Sequence, residues 1–96
     1  MSCRTIKFNS TEKLTETQIQ KALYELTPIG FKFLMYLHSK SLSQQELDMS
    51  QKTACGIMNI SIGSYQRGFK ELIENLYLTE IAPDTYQFNI KWKEVK

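Results

Sequence analysis

Residues 52–78 constrain this chain more than any other stretch. They allow a short helix, a tight turn, a longer helix and then, at once, a strand. Residues 51–58 read as the first helix and residues 61–75 as the second. Between them stands Asn59, which tolerates the left-handed backbone a sharp reversal needs. Ile60 is apolar and plugs the turn into a core, and Ser61 is placed as an N-cap. Tyr65, Phe69, Leu72, Ile73 and Leu76 recur at helical spacing and define a buried face. The first helix needs a small residue where the second crosses it, and Cys55 sits there with Ala54 beside it. Gly68 interrupts the second helix at a cost of about 1 kcal/mol relative to alanine, so close packing is its expected reason. Asn75 is placed for a left-handed C-cap.

The flanks extend the pattern. Residues 4–9 alternate, with Ile6 and Phe8 on one face and Thr5 and Lys7 on the other, which predicts a short strand. Thr15 is an expected N-cap for a helix ending near Leu26, with Ile19, Leu23 and Leu26 stacked and Ala22 beside them. Pro28 opens a further helix, because proline at the first helical position sacrifices no hydrogen bond. That helix is expected to reach about Ser39, with Phe31, Leu34, Met35 and His38 as its stripe and Phe33 and Leu37 flanking. Residues 41–50 are irregular; a loop, a loop with a short strand and a helical piece are all open. Residues 77–81 read as a strand. Pro83 and Asp84 read as a turn. From Tyr86 to Trp92 the alternation is strict, with Tyr86, Phe88, Ile90 and Trp92 on one face.

Ninety-six residues form one domain, here divided into an N-terminal extension over 1–26 and a core over 27–92. A hydrophobic content of 42% and a charged content of 23% are ordinary for a globular protein. The longest apolar runs are a few residues, so no membrane span is expected. No apolar segment of signal-peptide length opens the chain, which predicts a cytoplasmic protein. Cys3 and Cys55 lack metal-ligand spacing, and His38 is the single histidine, so neither a metal site nor a cofactor is expected. The net charge of +2 is mildly basic and does not by itself announce nucleic acid.

The order helix, turn, helix is that of the helix-turn-helix unit, whose second helix enters the DNA major groove with its N-terminal residues at the base edges. With the apolar face inward, Ile62, Gly63, Ser64, Gln66, Arg67 and Lys70 point outward. Glutamine pairs with adenine and arginine with guanine; Ser64 reaches a base or a phosphate, and Lys70 suits the backbone. Ser61 at the helix start, Lys52 on the preceding helix, and Lys91 and Lys93 at the end of the last strand complete the candidate DNA-binding set.

Residues 53–78 resemble the winged helix-turn-helix superfamily of bacterial and phage regulators and replication proteins. The resemblance is carried by Ala54/Cys55, by Ile57-Met58-Asn59-Ile60-Ser61, by Tyr65-Gln66-Arg67, by Lys70-Glu71-Leu72-Ile73 and by Tyr77-Leu78. It extends loosely from Pro28 to Trp92. Residues 26–37 are also similar to phage and plasmid replication or regulatory proteins. Two positions depart: Gly56 stands where a helix-favouring, often acidic, residue is usual, and Leu76 where glycine often precedes the wing strand. The resemblance implies an α+β, mainly α, winged helix-turn-helix domain with a C-terminal β-hairpin wing. It also implies sequence-specific binding of double-stranded DNA in transcription regulation or DNA replication.

A different class of function competes with that expectation. A winged-helix module can bind a protein partner, as an adaptor or antirepressor would, without touching DNA. Exposure of Gln66, Arg67 and Lys70 on one positive face favours DNA; dominance of that face by Glu71 and Glu74 favours the protein module. Catalysis is not expected: glycines 30, 56, 63 and 68 are scattered, no carboxylates pair near an acid, and Cys55 reads as helix packing. Residues 15–26 serve either core packing or a homodimer seam. The Tyr86, Phe88, Trp92 stripe serves either sheet packing or the stacking of single-stranded bases.

Overall fold

The fold, taken from a computed structural model, is described for residues 3–8 and 16–89. Thr15, Ile90, Lys91, Trp92 and Lys93 lie outside the described residues. The elements run β1 (Cys3–Phe8), α1 (Glu16–Glu25), α2 (Pro28–Ser41), β2 (Glu46–Ser50), α3 (Gln51–Met58), α4 (Ile62–Glu74), β3 (Leu78–Ala82) and β4 (Thr85–Phe88). This is a small α+β arrangement, mainly helical. No helix among the described residues is long and apolar enough to cross a membrane.

The sheet order is β2-β1-β4-β3. Ile6 lies opposite Leu47 in the antiparallel β1–β2 pair and opposite Tyr86 in the parallel β1–β4 pair. The segment expected as an N-terminal extension therefore supplies an interior strand. Local alternation reveals a strand but not its neighbours, which are chosen by distant segments. Residues 41–50 resolve into the end of α2, a turn and the edge strand β2. Ile6, Phe8, Leu47, Met49, Tyr86 and Phe88 are buried on one face of the sheet. Tyr86 and Phe88 thus pack a core, Phe88 edge-on to Phe8 at 5.7 Å and Tyr86 edge-on to Phe69 at 4.9 Å.

Close approach of α2 and α4 sets the rest of the core. A Cβ on Gly68 would stand 3.1 Å from side-chain atoms of both Ile29 and Phe33, so glycine there lets the helices meet. That contact rotates α2 from the expected phase. Its buried residues are Gly30, Phe33, Leu34, Leu37 and Ser41, while Phe31, Met35 and His38 are half-buried. Helix α1 is rotated as well. Its buried row is Gln18 and Ala22, continued by Leu26, whereas Leu23 is 56% exposed. Ala22 is fully buried, and a hydrogen bond from Tyr77 Oη to Glu25 Oε1 at 3.2 Å ties that side of the helix to the start of the hairpin.

Three further expectations are corrected at helix ends. Ala54, fully buried, is the small residue of α3; Cys55 is half-buried. Asn75 has φ −96°, and Leu76 instead takes the left-handed conformation at φ 65°. Leu76 is 56% exposed and does not belong to the buried face. The reason lies in the turn. Tyr77 N–H donates to Leu72 O at 2.8 Å and Leu76 N–H to Ile73 O at 3.1 Å, a Schellman closure that requires its penultimate residue to be left-handed. It turns the chain so that Tyr77 and Leu78 become buried, which outweighs about 1–2 kcal/mol of backbone strain.

Candidate nucleic-acid interface

The turn between α3 and α4 follows from its residues. Asn59 takes φ 57° and ψ 53°, and Ile60 N–H donates to Cys55 O at 3.1 Å. Lys32 reaches across from α2 and donates to Met58 O at 2.9 Å. A cation is thereby placed on the electronegative end of α3. Cys55 Sγ lies 3.8 Å from Ser61 O and bridges the two helices.

Helix α4 begins at a formed cap. Ser61 Oγ accepts from Ser64 N–H at 3.1 Å and donates to Ser64 Oγ at 3.2 Å. Arg67 then donates from its guanidinium to Ser64 Oγ at 3.1 Å. A Cβ on Gly63 would stand 3.7 Å from Nη1 of Arg67, so the guanidinium lies folded back over the glycine. Ser61, Gly63, Ser64 and Arg67 therefore form one cluster at the start of α4. Gln66 and Lys70 are exposed one turn apart on the same helix, and Ile62, its first residue, is 54% exposed.

The acidic residues of α4 split. Glu71 turns toward α2 and accepts from Thr27 N–H at 3.1 Å and Thr27 Oγ1 at 2.9 Å. Its carboxylate packs where a side chain at position 30 would otherwise stand, so Gly30 makes room for it. There it complements the positive end of the α2 dipole. Glu74 stays outside, 4.0 Å from Lys70, with both side chains largely in water. Such an exposed pair contributes little. Thr27, Arg67, Lys70, Glu71 and Glu74 line an open groove of about 330 Å³ between the start of α2 and α4.

Lys52 is exposed near the start of α3. Lys91 and Lys93 lie outside the described residues. The β3–β4 turn at Pro83 and Asp84 is exposed, as expected, with Asp84 left-handed at φ 56°. Asp84 O accepts from Thr5 N–H at 2.9 Å, which ties the hairpin to β1. Among the described residues there is no cluster of three or more His, Cys, Asp or Glu able to hold a metal.

Reading the sequence missed three residues here. Lys32 is the only charge between two phenylalanines, a weak signal of a specific task. Glu71 reads locally as surface, because its partner Thr27 is 44 positions away. Arg4 looks like an ordinary strand residue. Its guanidinium lies 4.3 Å over the Phe69 ring and donates to Tyr65 Oη at 3.2 Å, beneath α4. Burial pushes the Tyr65 hydroxyl pKa up, and Arg4 partly offsets the rise.

Compared with models of protein families, with curated proteins and with solved structures, the chain matches none.

Proposed function

We propose that the chain binds double-stranded DNA in the manner of a winged helix-turn-helix protein, with α4 in the major groove, as a transcriptional regulator or replication accessory protein. The observation that carries this reading is the division of charge on α4. Gln66, Arg67 and Lys70 are exposed, while Glu71 is drawn off to Thr27. A major groove about 12 Å wide admits a helix, and the fork of Arg67 matches the two acceptors of guanine. The short side chain of Ser61 and the bare backbone of Gly63 let the helix start approach base edges.

Titration of a fluorescent mixed-sequence duplex at two salt concentrations tests the proposal. Binding should weaken as salt rises, by about 0.9 in the log–log slope for each phosphate contacted. The double variant Arg67→Ala/Lys70→Ala should bind much less. Absence of binding at low salt would reject the proposal.

One observation favours the protein-binding module instead. Ile57 and Ile62 are 58% and 54% exposed near the α3–α4 turn. A chain that ignores DNA at low salt would leave this apolar pair as the functional surface.

A further inference from the structure

We infer that Ser64 is a positioning residue, which sets base discrimination through Arg67 and does not itself touch DNA. The inference rests on the duplex-binding function proposed above and names the device that aims its base-reading side chain.

Three observations carry it. The Ser64 hydroxyl is already engaged. Its Oγ accepts from Ser61 Oγ at 3.2 Å and from Arg67 Nη2 at 3.1 Å, which uses both lone pairs. Ser61 Oγ in turn accepts from Ser64 N–H at 3.1 Å, so two hydroxyls join the guanidinium to the capped end of α4. Ser64 is also half-buried, whereas Gly63, Gln66, Arg67 and Lys70 are exposed. Lastly, Arg67 and Glu71 stand one turn apart, a spacing at which opposite charges pair on a helix. Here they are drawn apart. Glu71 accepts from Thr27, and among the described residues Arg67 makes no ion pair, although it lines the same groove as Glu71 and Glu74.

The brace leaves Arg67 able to read a base. A guanidinium has five N–H donors, and Ser64 takes one. Nη1 and the second hydrogen of Nη2 remain, enough for N7 and O6 of guanine. Holding the fork before DNA arrives reduces the rotamer freedom that Arg67 must lose on binding. It also keeps the guanidinium off the neighbouring carboxylates. Both gains are realised only where Arg67 meets its guanine, since phosphate contacts do not pass through Ser64.

A double-mutant cycle of Ser64→Ala and Arg67→Ala tests this. Affinities are measured on a duplex selected by wild type from a random pool, and on the same duplex with one base pair replaced, the one at which Arg67→Ala loses its preference. Ser64→Ala should lower affinity for the selected duplex about twofold to tenfold, the cost of ordering one long side chain. Affinity for the replaced duplex should stay at the wild-type value, and so should the salt slope. In the Arg67→Ala background, Ser64→Ala should have no further effect, because its partner is gone. An equal loss with and without Arg67 would place Ser64 on the DNA and overturn the inference. So would Ser64→Ala with wild-type affinity, or Arg67→Ala with every base preference intact. Nitrogen-15 relaxation of the Arg67 Nε–H group gives a readout that needs no DNA. That group should be ordered in the free wild-type protein and mobile in Ser64→Ala. The melting temperature should stay near wild type, because the cap bond from Ser64 N–H to Ser61 Oγ uses the backbone and survives the substitution. Equal mobility in the two proteins would overturn the inference and leave duplex binding standing. Failure to enrich any duplex would instead overturn the DNA-binding function itself.

Discussion

The guanidinium of Arg4 lies 4.3 Å over the ring of Phe69, so an interior strand of the sheet touches the underside of α4 directly. Phe69 also meets Tyr86 edge-on at 4.9 Å and Phe33 at 6.0 Å. Truncating it removes contacts with β1, β4 and α2 together. Phe69→Ala should cost about 3–5 kcal/mol in urea unfolding. Arg4→Ala should cost less, about 1–2 kcal/mol, through the lost cation–π contact and the hydrogen bond to Tyr65. A wild-type urea midpoint for Phe69→Ala would contradict the packing described.

Arg67 and Lys70 should separate in their effects on DNA. Arg67→Ala should cost about 1–3 kcal/mol on a selected duplex and relax the preference at one base pair. Lys70→Ala should weaken all duplexes about equally and lower the salt slope by about 0.9. Competition titrations with single-base-pair variants would distinguish them. Identical profiles for the two variants would reject this division of labour.

The hairpin tip should contribute little affinity in the wild type, because Asp84 is exposed there and no Lys or Arg lies between Thr79 and Asn89. Asp84 is left-handed, a conformation that asparagine also accepts. Asp84→Asn should therefore tighten non-specific binding without strain. Ala82→Lys, at an exposed position, should steepen the salt dependence by about 0.9 if it gains one phosphate. An unchanged slope would place the tip away from the duplex.

Tyr77 gives the fold an alkaline limit. Burial, and then the nearby charge of Glu25, push its hydroxyl pKa above the ordinary 10.0. The folded chain holds the phenolic proton more tightly than the unfolded chain. Its stabilisation is complete below pH 10.0 and declines as the pH rises through that value toward the folded pKa. Tyr77→Phe should flatten the alkaline fall in urea midpoint. An identical pH profile would mean that Tyr77 is not the group responsible.

Segments governed by their own neighbours were legible in the sequence. Helix α3 has the expected bounds, Ser61 caps α4, Asn59 makes the turn, and Pro83 and Asp84 reverse the hairpin. Features decided by distant residues were not. The phase of α2 depends on Gly68 reaching Phe33, and that of α1 on Tyr77 reaching Glu25. Both helices carry apolar residues on more than one side, so periodicity alone leaves their rotation open. Helical spacing puts Leu76 on the buried face; the turn that buries Tyr77 and Leu78 holds it outside. The exposed members of the candidate interface were legible as an outward face of α4. The removal of Glu71 from that face was not, since it requires Thr27.

The pairing of Ile6 with Tyr86 also governs when the chain can fold. During synthesis, α2, β2, α3 and α4 can emerge and pack, but β1 waits for a parallel neighbour 80 residues downstream. Closing so long a loop comes late and slowly, because its entropy must be lost before the contact is gained. Until then β1 offers β2 one edge and leaves its other edge bare, beside the apolar side chains of Ile6 and Phe8. A growing chain of this protein is therefore most exposed to aggregation just before the β3–β4 hairpin arrives.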